Sequence, residues 1–181
     1  MSVNTPCIIL ITGIMASGKS TVAQLLAERM DRSVHLRGDL FRRMVVSDRK
    51  EVNPDADEEV LAQLRLRYRL AAQAADTYCQ AGFTVVVQDV VIGPMLQEFV
   101  SFAASRPFYT VVLTPSIETV ASREAGRAKK GYGAWTVADL DRVLQQETPR
   151  IGMWLDSSEL TPEQTVDIIL ERLQSEALVE V

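Results

Sequence analysis

Gly13-Ile14-Met15-Ala16-Ser17-Gly18-Lys19-Ser20 is the stretch whose reading decides the fold, because it fits the pattern Gly-x-x-x-x-Gly-Lys-Ser/Thr without a mismatch. Its setting matters as much as its letters. Cys7 to Thr12, just before it, is a short continuous apolar run rich in β-branched residues, the composition of a strand buried on both faces of a parallel sheet. After it, from Lys19 to Met30, Val22, Leu25, Leu26 and Met30 recur at helical spacing while Gln24, Glu28 and Arg29 fall elsewhere. A glycine-rich turn between a buried strand and an amphipathic helix can close its backbone amides around phosphate oxygens. Glycine allows positive φ and puts no side chain in the way, and the helix start adds its dipole.

Working outward, Ser33 to Arg37 reads as a second strand ending at Gly38-Asp39, and Phe83 to Gln88 as a third ending at Asp89. Phe108 to Leu113 is a fourth and Ile151 to Leu155 a fifth, followed by a helix from Pro162 to about Ser175. Strands alternating with helices predict a doubly wound α/β sheet. Between the second and third strands, an acidic first turn at Asp55 to Glu59 precedes an apolar face of Val60, Leu61, Leu64, Tyr68, Ala71, Ala72, Ala75 and Cys79, which runs to Gly82. This predicts a helical insertion over about 40–81. A glycine-flanked, basic segment over about 121–135 reads as a lid, within one domain spanning 1–181.

Of the 181 residues, 47% are hydrophobic and 24% charged, which is globular composition, and the formal charge of −5 argues against bulk nucleic acid or an anionic membrane as the main partner. Trp135, Trp154 and Tyr132 are too scattered to make a base-stacking platform. Cys7 and Cys79 fall in different elements without metal-ligand spacing, so neither a disulfide framework nor a zinc site is expected. No export or membrane-spanning segment is read, and the expected address is the cytoplasm.

The candidate residues group by chemistry. Gly13, Ala16, Ser17, Gly18, Lys19, Ser20 and Thr21 would hold a nucleoside triphosphate, with Lys19 on the β- and γ-phosphates and the Ser20 hydroxyl on Mg²⁺. Asp39 could accept a proton from an acceptor hydroxyl, or serve as a turn or helix-cap acid. Asp89 could serve the magnesium shell or contact the acceptor, or be a solvated strand-end acid. Arg123 and Arg127, four apart, would project from one helix face and clamp transferring phosphoryl charge, the alternative being a solvated charged helix. Arg150, before the fifth strand, ranks below them as a phosphate contact or helix cap, and His35 within the second strand reads as structural.

Taken together, the 13–20 loop, Arg37-Gly-Asp39, Gln88-Asp-Val-Val-Ile-Gly93, Arg123-Glu-Ala-Gly-Arg127 and Leu155-Asp-Ser-Ser-Glu-Leu-Thr-Pro-Glu163 resemble the adenylate-kinase-like P-loop phosphotransferases, in particular chloramphenicol phosphotransferase-like and zeta-toxin-like kinases. The resemblance covers nearly the whole chain. It implies a three-layer α/β/α sandwich with a five-stranded parallel sheet, an acceptor-binding insertion after the second strand and a small arginine-bearing lid. It also implies Asp39 as general base and Asp89 facing the acceptor or magnesium. A departure is the arginine-rich insertion: Arg42, Arg43, Arg65 and Arg69 point to an acceptor bearing phosphate or carboxylate groups, so an anionic small molecule and an uncharged antibiotic both stand as expected acceptors.

The expected activity is an ATP- and Mg²⁺-dependent kinase acting on a hydroxyl of a small molecule, with no nucleic acid or membrane partner, as a monomer or homodimer. No Asn-Lys-x-Asp guanine-reading sequence occurs, and Asp89 has no adjoining Glu to polarise water as in ring-forming ATPases. The rival is an ATP-binding switch or interaction module that hydrolyses slowly without a small acceptor.

Overall fold

The structure is a computed structural model that describes residues 5–126 and 131–180. Five parallel strands form its sheet: β1 Ile8–Thr12, β2 Ser33–Arg37, β3 Thr84–Gln88, β4 Phe108–Leu113 and β5 Met153–Leu155, in the order β2-β3-β1-β4-β5. All five residues of β1 are buried, which is why it occupies the centre and why its sequence is apolar throughout rather than alternating.

Helices cover both faces and make the three-layer α/β/α sandwich. On one face Ile9 and Ile11 pack with α1 (Lys19–Glu28) and with α7 (Pro162–Arg172) through Val22, Leu26, Val166 and Ile169. On the other, Ile8 and Leu10 share a core with α3 (Glu58–Gln80) and α4 (Met95–Phe102) through Tyr68, Ala71, Ala75, Leu96 and Phe99. Burying a side chain such as Phe99, fully enclosed here, stabilises by about 1.5–3 kcal/mol relative to leaving it in water.

The insertion opens with the short helix α2 (Asp39–Arg43), directly after β2. Its long helix α3 starts where the Asp57 side chain accepts from the Val60 N–H, with Glu58 and Glu59 favourably placed in the first turn. Alanines at 71, 72 and 75 let α3 lie close on the sheet. Helix α5 (Ile117–Ala125) leads into the lid region, and α6 (Val137–Arg142), which starts on a Thr136/Asp139 capping box, leads out of it.

Element ends differ in detail from the sequence expectation. The fifth strand begins at Met153 rather than Ile151, because Gly152 has φ 71°, outside extended geometry, and lies so close to β4 that a Cβ there would sit 2.3 Å from the Thr110 carbonyl oxygen. Helix α1 ends at Glu28, short of Met30, and the regular part of α7 stops at Arg172 before a π-helical turn over Leu173–Ala177. Because all strands run parallel, the carboxyl ends of β1, β3 and β2 lie along one edge of the sheet. This brings the Gly13 loop, Asp89 and Gly38-Asp39 together.

Candidate active site

The loop between β1 and α1 has the backbone a phosphate cradle needs. Gly13 (φ 142°), Ala16 (φ 62°) and Gly18 (φ 97°) all take positive φ, and Gly18 is the N-cap of α1. At Gly13 the demand is also steric, since a Cβ there would lie 2.5 Å from the Leu113 carbonyl oxygen. Gly13→Ala is accordingly expected to lower stability by about 1–3 kcal/mol, read by denaturant unfolding. Thr12 anchors the loop from below: its hydroxyl donates to the Val91 carbonyl at 2.8 Å and accepts from the Val91 N–H at 2.9 Å.

Lys19 is 5% exposed and folds back over the loop, its Nζ donating to the Ile14 carbonyl at 2.6 Å and the Ser17 hydroxyl at 3.4 Å. Ser17 is buried, whereas Ser20 and Thr21 are open to solvent, with Gln24 and Arg37, on a cleft beside α1. The Ser20 Oγ donates to Gln88 Oε1 at 3.1 Å. The neighbour of the predicted magnesium ligand is therefore Gln88, at the end of β3 in register with Ile11, rather than Asp89. Sequence reasoning passed over Gln88 because it is neutral.

Asp89 is instead enclosed, at 2% exposed, and held bidentately by Arg67 of α3: Nε donates to Oδ2 at 2.8 Å and Nη2 donates to Oδ1. The Val90 N–H adds a bond to Oδ1 at 2.7 Å. Burial pushes the Asp89 carboxyl up, against the pull of Arg67 and of the Val90 N–H. The carboxylate also rests on bare backbone, since a Cβ at Gly38 would fall 2.0 Å from Asp89 Oδ2. The solvated strand-end alternative for Asp89 is thus a buried ion pair, and Arg67, unremarked in the sequence, is its partner.

Asp39 is the first residue of α2 and caps nothing; its carboxylate is taken by arginines of the same helix. Arg42 Nε donates to Oδ1 at 2.9 Å and Arg43 Nε to Oδ2 at 2.6 Å. Burial alone would raise the Asp39 carboxyl, but these hydrogen bonds and the fields of Arg42 and Arg67 hold it below the ordinary carboxylate value. Asp39, Asp89 and Arg67 are close enough to influence one another's charge.

The remaining predicted arginines are placed unevenly. Arg69 lies over the Phe102 ring at 5.3 Å, and Arg65 is paired with Glu98 and Glu58, so both are engaged with α4 or their own helix rather than with Asp39. Arg150 stacks on Trp154 at 3.8 Å. Arg123 reaches the phosphate loop, its Nη1 donating to the Ser17 carbonyl at 3.3 Å and its Nη2 to the Ser157 carbonyl at 3.0 Å. Arg127 lies outside the described residues. Within the lid span, Tyr132 Oη donates to the Met15 carbonyl at 2.8 Å and Trp135 Nε1 to the Val52 carbonyl at 3.0 Å, so its C-terminal part touches both the phosphate loop and the insertion. His35 sits on β2 with Nδ1 2.8 Å from Gln24 Oε1. Among the described residues no helix is long and apolar enough to cross a membrane.

The model of a family described as AAA domain matches residues 8–149. Among solved structures, a sugar kinase from Janibacter sp. HTCC2649 superposes with a TM-score of 0.68 at 18% identity, over 92% of this chain and 93% of its own. The tunicamycin resistance protein of Deinococcus radiodurans superposes at 0.63 with 16% identity, covering 98% and 99%. The APS kinase CysC of Mycobacterium tuberculosis, solved in complex with AMPPNP and APS, gives 0.66 with 16% identity, covering 94% and 99%. At these identities the likeness is one of fold. No curated protein matches the sequence.

Proposed function

This chain belongs to the AAA domain family, and from that premise we propose that it is a phosphotransferase which uses ATP and Mg²⁺ to phosphorylate a hydroxyl of a small molecule. The observation that carries the reading is the meeting, at one edge of the sheet, of a phosphate-shaped loop with an uncapped carboxylate, Asp39, kept ionised by two arginines. A hydrolytic switch has no evident use for such a carboxylate on an insertion beyond the phosphate loop.

In this reading the amides of the 13–20 loop and Lys19 bind the β- and γ-phosphates, for which Lys19 exchanges its bond to the Ile14 carbonyl. The fit to magnesium rests on oxygen donors at Ser20 and Gln88, a set suited to a hard cation. Held there, the ion would supply charge neutralisation for the phosphoryl oxygens. Asp39 orients the acceptor hydroxyl and takes its proton as its oxygen bonds to the γ-phosphorus and the bond from that phosphorus to the departing ADP breaks. Arg123 steadies the loop from the Ser17 carbonyl, and Arg127 is the candidate for contact with transition-state charge. Asp89, tied to Arg67, acts by holding α3 against the strand ends.

The test is acceptor-dependent ADP formation with Mg²⁺ across a panel of hydroxyl compounds, with the phosphorylated product identified by mass. Lys19→Ala is expected to lower that rate by about 10²–10³-fold, as when a preorganised electrostatic contact is removed. ATP consumption indifferent to every hydroxyl compound would overturn the reading in favour of a switch.

A further inference from the structure

Between α2, the 44–57 connection and α3 lies a hollow of about 40 Å³. Its walls are mainly aliphatic, from Val45, Val52, Val60, Leu64, Leu66 and Leu70, with Phe41. Leu66, Leu70 and Val52 remain 47%, 38% and 37% exposed, so the apolar wall opens to solvent. Arg42, which donates to Asp39, and Arg67, which holds Asp89, also line it and place it next to the strand-end carboxylates.

The arginines of this region pointed, in the sequence, to an anionic acceptor. The structure accounts for them differently. Arg42 and Arg43 are on Asp39, Arg42 and Arg49 on Glu51, Lys50 on Asp48 and Glu59, and Arg67 on Asp89. Among the described residues, every cation lining the hollow is matched by a carboxylate of the chain, and the cluster balances five cations with five acids. An anion entering here would have to compete with these internal partners while losing its own hydration, and an aliphatic wall offers it nothing in return. An apolar group loses nothing by entering and gains by burial.

We propose that the acceptor is an uncharged hydroxyl compound bearing a short branched or cyclic apolar group, and that this group occupies the hollow while its hydroxyl faces Asp39. The assignment rests on the phosphotransferase reading for the word acceptor, but the hollow can be tested by binding alone. A volume of this size takes a group of a few carbons and leaves the remainder of the compound outside.

The experiment uses the full chain with AMPPNP and saturation-transfer NMR on three probes sharing one apolar group: 3-methyl-1-butanol, 3-methylbutanoate and 3-methylbutyl phosphate. The alcohol is expected to bind at least about tenfold more tightly than either anion, a gap of about 1.4 kcal/mol. Leu66→Asp, at a half-exposed position, and Val60→Trp, which fills the hollow, are each expected to weaken the alcohol by about tenfold or more, whereas Leu66→Met retains it. Thermal unfolding of each variant separates lost binding from lost folding. An anion that binds as well as the alcohol, an alcohol signal insensitive to folded Leu66→Asp and Val60→Trp, or no transfer to the alcohol at all overturns the proposal. Product analysis keeps the two readings apart. Anions phosphorylated in preference to neutral compounds would sink this inference and leave the phosphotransferase standing, whereas selective alcohol binding without any phosphorylated product would do the reverse.

Discussion

Asp39→Asn is expected to slow phosphorylation of the acceptor by about 10²–10⁴-fold while ATP still binds. Asparagine keeps the size and one oxygen for Arg42 or Arg43, so α2 should hold its shape and the loss should fall on proton removal from the acceptor. Burial favours the neutral carboxyl, but the two arginine hydrogen bonds and the field of Arg67 outweigh it and place the folded-state value below the ordinary 3.8. The sign follows. A carboxyl depressed on folding contributes stability that is present above its unfolded value and is lost only as pH falls through the folded one. Asp39 is therefore ionised throughout the working range, and kcat/KM measured down to about pH 5 should show no acid limb from this group. Full turnover in Asp39→Asn at saturating acceptor would remove it from the chemistry.

The largest loss of stability is expected from Arg67→Ala, about 3–5 kcal/mol by denaturant unfolding, because it leaves the Asp89 charge buried without its partner. The size comes from desolvation rather than from the attraction alone. Asp89 is 2% exposed, cannot turn to water, and would keep only the Val90 N–H. Adding Asp89→Asn to Arg67→Ala should recover part of the loss by removing the stranded charge, and a double-mutant cycle measures that coupling. If Arg67→Ala costs no more than a surface ion pair, about 0–1 kcal/mol, the pair is not the clamp described.

The phosphate loop and the sheet were legible because their causes are local. Glycines at 13 and 18 answer to positive φ, and an unbroken apolar run at 8–12 answers to a strand covered on both faces. The site beyond the loop was legible only in outline. Asp39 and Asp89 were found from their position after strands, but their partners depend on which side of α3 faces the strand ends. Arg65 and Arg69 stand two residues either side of Arg67, roughly 200° around the helix from it, and meet Glu58, Glu98 and Phe102, whereas Arg67 takes Asp89. The apolar face of α3 contained the missing signal: Arg67 adjoins Tyr68, buried at 2% exposed, whose hydroxyl donates to the Val90 carbonyl beside Asp89. Gln88 was missed for a different reason, since an amide announces no charge and only strand register places it against Ser20.

Gly38 gives the site a further property. With room for no more than a hydrogen atom between its α-carbon and the Asp89 carboxylate, it binds the end of β2, the end of β3 and, through Arg67, the middle of α3 into one unit. The insertion is thus not an exchangeable cassette. Transplanting residues 40–81 from another scaffold to alter acceptor choice would leave Gly38 and Asp89 in place and strand the buried carboxylate unless the incoming helix carried an arginine at the position of Arg67, so the graft is expected to lose stability before its selectivity can be assayed.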